Sequence, residues 1–210
     1  ILLLLQALMI SAQEIQKNIF GFATSNTFTY CNISDTSFIN KVCKIKPQIL
    51  RFPGGAVGNF YHFGKAGYGF DYTEIDKYHD GKFPKRARGL DRSRKKYNHQ
   101  HDYIHDFITL AQRTDAKAVL VANPFVSDDN DILLMIQKLY DNNIEVIGVE
   151  LGSELSNRSY FLKGYTIDEY ILFAKRCSKN IKIKFPKIKT AVLAAPLGKR
   201  KGHRHNIWNN

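Results

Sequence analysis

Two glutamates follow a buried apolar run in residues 146–161, VIGVELGSELSNRSYF. Glu150, Gly152 and Glu154 share the alternation of an extended backbone, so all three are expected on one face of a strand. A carboxylate is costly to leave unpaired at the exit of a buried strand, so each glutamate needs a partner or a chemical task. Arg51 is the expected partner of Glu150, because a guanidinium can donate two hydrogen bonds to one carboxylate.

Glu154 lies closer to the expected mouth of the site, where a substrate can reach it. A glutamate held partly out of water is suited to protonating a leaving group. The sequence therefore predicts Glu154 as a general acid, and the alternative is an ordinary acid at a helix start or on the surface. To act as a general acid, Glu154 must lie in a site to which the ends of several strands contribute residues.

Strand and helix patterns alternate along the chain. Strands that are apolar on both faces, with helices between them, predict a parallel α/β sheet covered by helices. Thr166 and Glu169 form a capping-box pattern, and Ser127, Asp128 and Asp129 are expected to cap an earlier helix. The predicted strands are 18–24, 48–55, 116–125, 146–151 and 187–196; the predicted helices are 35–45, 97–111, 130–143 and 166–180, and 56–98 is predicted as a long loop.

Both a doubly wound sheet and a (β/α)8 barrel fit this alternation. Arg51, Asn123 and Glu154 all fall where a strand gives way to its loop, which is the rim on which barrel enzymes build their sites. A dinucleotide-binding sheet would carry a glycine-rich turn directly after its first strand, and the sequence GFATSNTF does not supply one. The strand ends therefore favour a (β/α)8 TIM barrel that is truncated after about five β/α units.

The charge of the chain favours an anionic partner. Lys and Arg number 31 against 19 Asp and Glu, a formal net charge of +12, and residues 82–96 hold eight basic side chains and one acid. A solvated loop is one explanation and an anionic glycan another. Nucleic acid is disfavoured because Phe83 is the single aromatic residue of the basic run, which therefore lacks the interleaved aromatics of a base-stacking platform. Residues 1–12 form a short apolar run ending in small residues, which predicts part of a secretory signal and no stable membrane span. The expected location is therefore secreted, periplasmic or cell-surface, with residues 13–210 forming the barrel segment.

Other candidate residues carry weaker patterns. His101 and His105 are one helical turn apart, but no third ligand is indicated nearby, so no metal and no other cofactor is expected. Trp208 is the only tryptophan, and it is either a platform for a sugar ring or a core residue.

Three motifs resemble those of a known group of enzymes. LRFPGGAVGNFYHF, VLVANPF and GVELGSEL are similar to the second, third and fourth strand motifs of the clan A retaining glycoside hydrolases. The nearest branches are the α-L-arabinofuranosidase and heparanase-like enzymes, and the resemblance covers roughly residues 18–196. It implies a TIM barrel that acts on a polysaccharide or oligosaccharide, an anionic one included, with Glu154 as general acid/base. It also implies that Arg51 supports the nucleophile. The residues expected to bind substrate are Arg51, Asn123, Ser153 and Trp208.

The sequence departs from this family pattern at two places. Ser153 stands where those enzymes usually carry an asparagine that binds the sugar, and serine reaches less far. The family's nucleophile comes from a seventh strand, so it is expected beyond Asn210 and the chain is expected to be an N-terminal fragment. Two alternatives to a glycosidase stay open: a carbohydrate-binding protein without turnover, and a basic surface protein that binds anionic glycans through residues 82–96.

Overall fold

Five short parallel strands form one sheet. A computed structural model describes residues 20–24, 27–64, 69–70, 72–79, 103–198 and 203–209. The strands are β1 (Gly21–Ala23), β2 (Ile49–Phe52), β3 (Lys117–Ala122), β4 (Val146–Leu151) and β5 (Lys189–Ala191). They lie in the order β1-β2-β3-β4-β5, and every neighbouring pair is parallel.

Helices connect these strands. In chain order, the described ones are α1 (Thr27–Tyr30), α2 (Thr36–Ile45), a 3-10 helix η1 (Ala56–Phe60), α3 (Tyr72–His79), α4 (Ile104–Thr114), α5 (Asn130–Tyr140), α6 (Arg158–Leu162), α7 (Ile167–Lys184) and α8 (Arg204–Asn209). Helix α4 packs on β2, α5 on β3 and β4, and α7 on β4.

The strand order confirms the predicted α/β fold class. A doubly wound sheet reverses its strand order at a switch point, whereas the strands of a (β/α)8 barrel follow one another around the sheet. The strictly sequential order seen here is therefore that of five consecutive units of a barrel.

The two faces of the sheet have different environments. Parallel register places Arg51, Val119, Val121, Gly148 and Glu150 on one face, the face that is concave in a barrel. The opposite face packs under the helices, and its fully buried residues include Leu50, Phe52, Ala118, Leu120, Val149 and Leu151. The concave face is less covered, since Arg51, Val119 and Glu150 keep partial exposure.

The structure corrects two local expectations. The segment 56–98, predicted as a loop without regular structure, contains η1 and α3 within its described part. The side chain of Asp129, the residue before α5, makes no capping hydrogen bond; instead, Oδ1 of the neighbouring Asp128 accepts from Asn130 N at 2.9 Å. The capping box of Thr166 and Glu169 is confirmed at the start of α7.

Several predictions fall on residues outside the described part of the chain. These are the secretory signal at 1–12, the basic segment 82–96 and His101. Within the described ranges, no helix combines the length and the apolar character needed to cross a bilayer.

Candidate active site

Arg51 and Glu150 form an ion pair on the concave face of the sheet. Arg51 Nε donates to Glu150 Oε1 at 2.8 Å, and Arg51 Nη2 donates to Glu150 Oε2 at 2.5 Å. The two residues belong to β2 and β4, so their side chains meet across β3, above Val121. The pairing expected from the sequence is confirmed, and it occupies both carboxylate oxygens of Glu150.

The backbone turns sharply directly after β4. Gly152 has φ +83° and Glu154 has φ +55°, both in the left-handed region. A Cβ on Gly152 would lie 2.7 Å from Leu155 Cδ1, so only glycine fits there. A glutamate in the left-handed region is uncommon and strained, and such strain persists only where the surroundings enforce it. The extended alternation that was expected to carry Glu154 onto the face of Glu150 therefore ends at Gly152.

A buried asparagine holds this turn in place. Asn59, in η1, is fully buried; its Oδ1 accepts from Ser153 N at 2.7 Å and its Nδ2 donates to Ser153 O at 2.6 Å. The same Nδ2 donates to Tyr160 Oη at 3.1 Å. Asn59 thus satisfies both backbone groups of Ser153, the residue before Glu154. Sequence reasoning missed Asn59, since the only local signal was the Pro-Gly-Gly break before η1.

Ser153 is directed towards Arg51. Its side chain is buried, and its Oγ accepts from Arg51 Nη2 at a long 3.4 Å. Arg51 therefore contacts both Glu150 and Ser153, and the three predicted residues Arg51, Ser153 and Glu154 lie within one connected group.

Glu154 itself is exposed on the turn. Its Oε2 accepts from Asn157 Nδ2 at 3.0 Å, a contact at the surface. Tyr160 lies nearby: burial, with a smaller contribution from the Glu154 charge, raises the pKa of Tyr160 to about 12, although its hydrogen bond with Asn59 acts in the opposite direction. The described residues thus leave Glu154 accessible from solvent.

Asn123 and Trp208 have structural contacts in this fold. Asn123 is buried after β3; its Nδ2 donates to Tyr61 O at 3.2 Å and its Oδ1 accepts from Phe125 N at 2.8 Å. Trp208 is 8% exposed, donates from Nε1 to Leu193 O at 3.2 Å and packs against Tyr170 with ring centroids 5.0 Å apart. Neither residue joins the group around Glu154.

A second polar cluster, which sequence reasoning did not find, lies at the same end of the sheet. His62 Nδ1 lies 3.1 Å from Asp131 Oδ2, and its Nε2 lies 2.9 Å from Glu74 Oε2. Hydrogen bonds to Asp131 and then to Glu74 raise the pKa of His62 to about 9, against the lowering effect of burial. A protonated His62 therefore links the loop after η1 to α3 and α5.

The loop after β5 approaches the turn that bears Glu154. Arg204 Nε donates to Ser156 O at 3.1 Å, which ties the start of α8 to this turn. His203 and His205 flank Arg204, and their ring centroids are 4.6 Å apart. Across the ranges that the structure describes, no group of three or more His, Cys, Asp or Glu residues is placed to hold a metal ion.

Comparison with models of known protein families and with curated proteins gives no match. Among solved structures, the chain is similar to an α-L-arabinofuranosidase from Thermotoga maritima in complex with arabinose, at 18% identity and a TM-score of 0.48. It is also similar to the thermostable GH51 α-L-arabinofuranosidase from Thermotoga petrophila RKU-1, at 19% identity and a TM-score of 0.45. Each alignment covers 85% of this chain and 37% of the other, so the chain spans little more than a third of those proteins. A likeness this distant is compatible with the α/β arrangement and says nothing of activity.

Proposed function

We propose that this chain contributes the acid/base half of a retaining glycoside hydrolase, with Glu154 as the general acid/base. The observation that carries the proposal is the enforced turn: an exposed carboxylate held in a strained left-handed conformation at the rim of a parallel sheet. Backbone strain of this kind clusters at functional sites, and Glu154 carries it directly after a strand at the rim. The resemblance of the three strand motifs supports the same role.

Each residue of the connected group has a role in this proposal. Glu154 donates a proton to the glycosidic oxygen as the bond to the sugar breaks, and its carboxylate then accepts a proton from the attacking water. Arg51 supplies a fixed positive charge beside the site, and Asn59 positions the turn. A retaining reaction needs a second carboxylate about 5–5.5 Å from the first. We assign that role to none of the described residues, because both oxygens of Glu150 already accept from Arg51.

The substrate of this proposal is a polysaccharide or oligosaccharide. The net charge of +12 favours an anionic polymer, and the basic segment 82–96, with eight basic side chains and one acid, carries much of that charge. An exported location, secreted, periplasmic or at the cell surface, fits such a substrate and the apolar run at residues 1–12.

The test is a comparison of substrates in the full-length protein and its Glu154→Gln variant. Glu154→Gln should nearly abolish cleavage of substrates with poor leaving groups, because an amide cannot supply the proton. Aryl glycosides with activated leaving groups should retain their first step, and azide should restore turnover, since it attacks without a base. Glu150→Gln is the matched control. Equal loss on all substrates without azide rescue, together with the leaving-group pattern in Glu150→Gln, would assign the role to Glu150.

One observation favours a second function, sugar binding without turnover. The hydroxyl of Ser153 faces Arg51, so it is not directed towards a sugar as the family's asparagine would be. In this case the protein binds oligosaccharides and releases no product. Binding that is retained with no cleavage of any aryl glycoside or polysaccharide would support this function over hydrolysis.

A further inference from the structure

A separate cavity opens on the same rim, away from the turn that bears Glu154. It has a volume of about 390 Å³ and lies between α3, the loop after β3 and the first half of α7. This volume falls in the range of small-molecule sites, about 300–1,000 Å³. The described residues that line it include none from 146–154.

Aromatic rings form one side of this cavity. Tyr78 and Phe125 stack with centroids 4.4 Å apart, and Tyr165 meets Phe125 edge-on at 5.3 Å. Phe125 is only partly buried, so part of its ring remains available. Aromatic faces offer dispersion contacts to the C–H groups of a saturated ring, and they do so without requiring charge.

The charged groups of the lining are balanced. Its described lining residues include two carboxylates, Glu74 and Glu169, and two cations, Lys77 and Arg176, so their formal charges cancel in a chain whose total is +12. Arg176 is held by the buried Asp129 at 3.2 Å. The cavity therefore presents fixed donors and acceptors without a net attraction for anions.

One buried hydroxyl at the wall of the cavity lacks a partner. Tyr165 lines the cavity and is 8% exposed, and its Oη has no hydrogen-bond partner among the described residues. Burial raises the pKa of Tyr165, so the group stays a neutral hydroxyl that can both donate and accept. A buried polar atom left unpaired in this way is costly, which a ligand hydroxyl would offset.

We propose that this cavity, lined by Tyr78, Phe125 and Tyr165, is a binding subsite for a neutral saccharide, separate from the group around Glu154. The inference rests on the proposed function for its choice of a sugar ligand. The aromatic side of the cavity would contact the ring of the sugar, and the charged side chains would form hydrogen bonds with its hydroxyl groups. The formal charges of the described lining residues cancel, so these residues favour a neutral saccharide over uronic or sulfated units at this position.

The test measures binding of defined trisaccharides by titration calorimetry to the full-length protein. Xylotriose and cellotriose are the neutral probes, and trigalacturonic acid is the anionic one. Phe125→Leu removes the aromatic face, and Tyr165→Phe removes only the unpaired hydroxyl, so the latter should fold as well as the parent. Phe161→Leu is the matched control, because Phe161 is an exposed aromatic residue of α6 that does not line the cavity.

We expect each cavity variant to bind at least one neutral probe about three- to tenfold more weakly, which corresponds to one aromatic contact or one hydrogen bond. Phe161→Leu should bind it as the parent does. Unchanged affinity for the neutral probes in both cavity variants, an equal loss of affinity for trigalacturonic acid in those variants, or no binding of any probe would overturn the inference.

The result is also distinguishable from failure of the proposed function. Neutral binding that depends on Phe125 in a protein without hydrolytic activity would refute the glycosidase and keep the subsite. Hydrolysis that depends on Glu154, together with unchanged binding in both cavity variants, would support the glycosidase and refute the subsite.

Discussion

Removal of the Asn59 side chain should destabilise the protein and displace Glu154. Asn59→Ala leaves Ser153 N–H and Ser153 C=O without their partners in a buried place. An unsatisfied buried polar group costs about 1–3 kcal/mol, so the two groups together cost about 2–6 kcal/mol. Entry of water into the space left behind would offset part of this cost. We therefore expect a loss of about 3 kcal/mol in the free energy of unfolding, which is large for a single polar substitution.

Under the proposed function, the same variant should reduce hydrolysis because it displaces Glu154. Without the two hydrogen bonds to Ser153, the left-handed conformation of Glu154 loses its support and relaxes. A displacement of about 1 Å at a reacting group can cost about 100-fold in rate. On substrates with poor leaving groups, we expect the kcat of Asn59→Ala to fall by up to about 100-fold, with a much smaller change in KM.

Urea denaturation and steady-state kinetics measure the two effects. Asn157→Ala is the matched control, because Asn157 contacts the same turn through an exposed hydrogen bond to Glu154 Oε2 at 3.0 Å. It should lose less than about 0.5 kcal/mol, as most surface substitutions do. If Asn59→Ala and Asn157→Ala lose equal stability at an unchanged denaturant slope, the hydrogen bonds from Asn59 to the Ser153 backbone are not what holds the turn.

Two further predictions concern ion pairs of the rim. With its pKa raised to about 9, His62 contributes stability that is complete below about pH 6.5 and is lost as the pH rises through 9. A pH series of thermal unfolding should show this loss in the parent and not in His62→Gln; equal pH dependence in both would refute the role of His62. Arg51→Met should cost about 2 kcal/mol because it leaves the Glu150 carboxylate unpaired, and adding Glu150→Gln should recover most of that loss in urea midpoints. A double variant no more stable than Arg51→Met would show that the charge of Glu150 is not the cause.

Local signals in the sequence were enough to predict much of the fold. Apolar runs of strand length identified all five strands, although the observed β1, β2, β3 and β5 are shorter at both ends than predicted. The capping box at Thr166 depends on residues three apart, so it could be predicted without any tertiary information. The ion pair of Arg51 and Glu150 could be predicted because both lie near the carboxyl ends of predicted parallel strands and carry opposite charge.

Contacts between distant residues explain what could not be predicted. Asn59 and Ser153 are 94 positions apart, and nothing local to either indicates that their polar groups meet. Asp129 was expected to cap α5, but it binds Arg176 and Asn180 on α7, about 50 positions further on. A polar side chain near a helix start can either cap that helix or bind residues that are distant in sequence. For Asp129, only the packing of α5 against α7 decides between the two.

The two glutamates after β4 end in different environments because of one glycine. Had the extended backbone continued, Glu154 would share the concave face with Glu150, where two carboxylates would compete for Arg51. The left-handed Gly152 ends the strand alternation, so Glu150 keeps the guanidinium and Glu154 turns to the surface. Carboxylates whose surroundings differ in this way can take different tasks. Both oxygens of Glu150 accept from Arg51, whereas Glu154 retains an oxygen that neither Arg51 nor Asn59 engages. Under the proposed function, that difference assigns the exchange of protons with a substrate to Glu154.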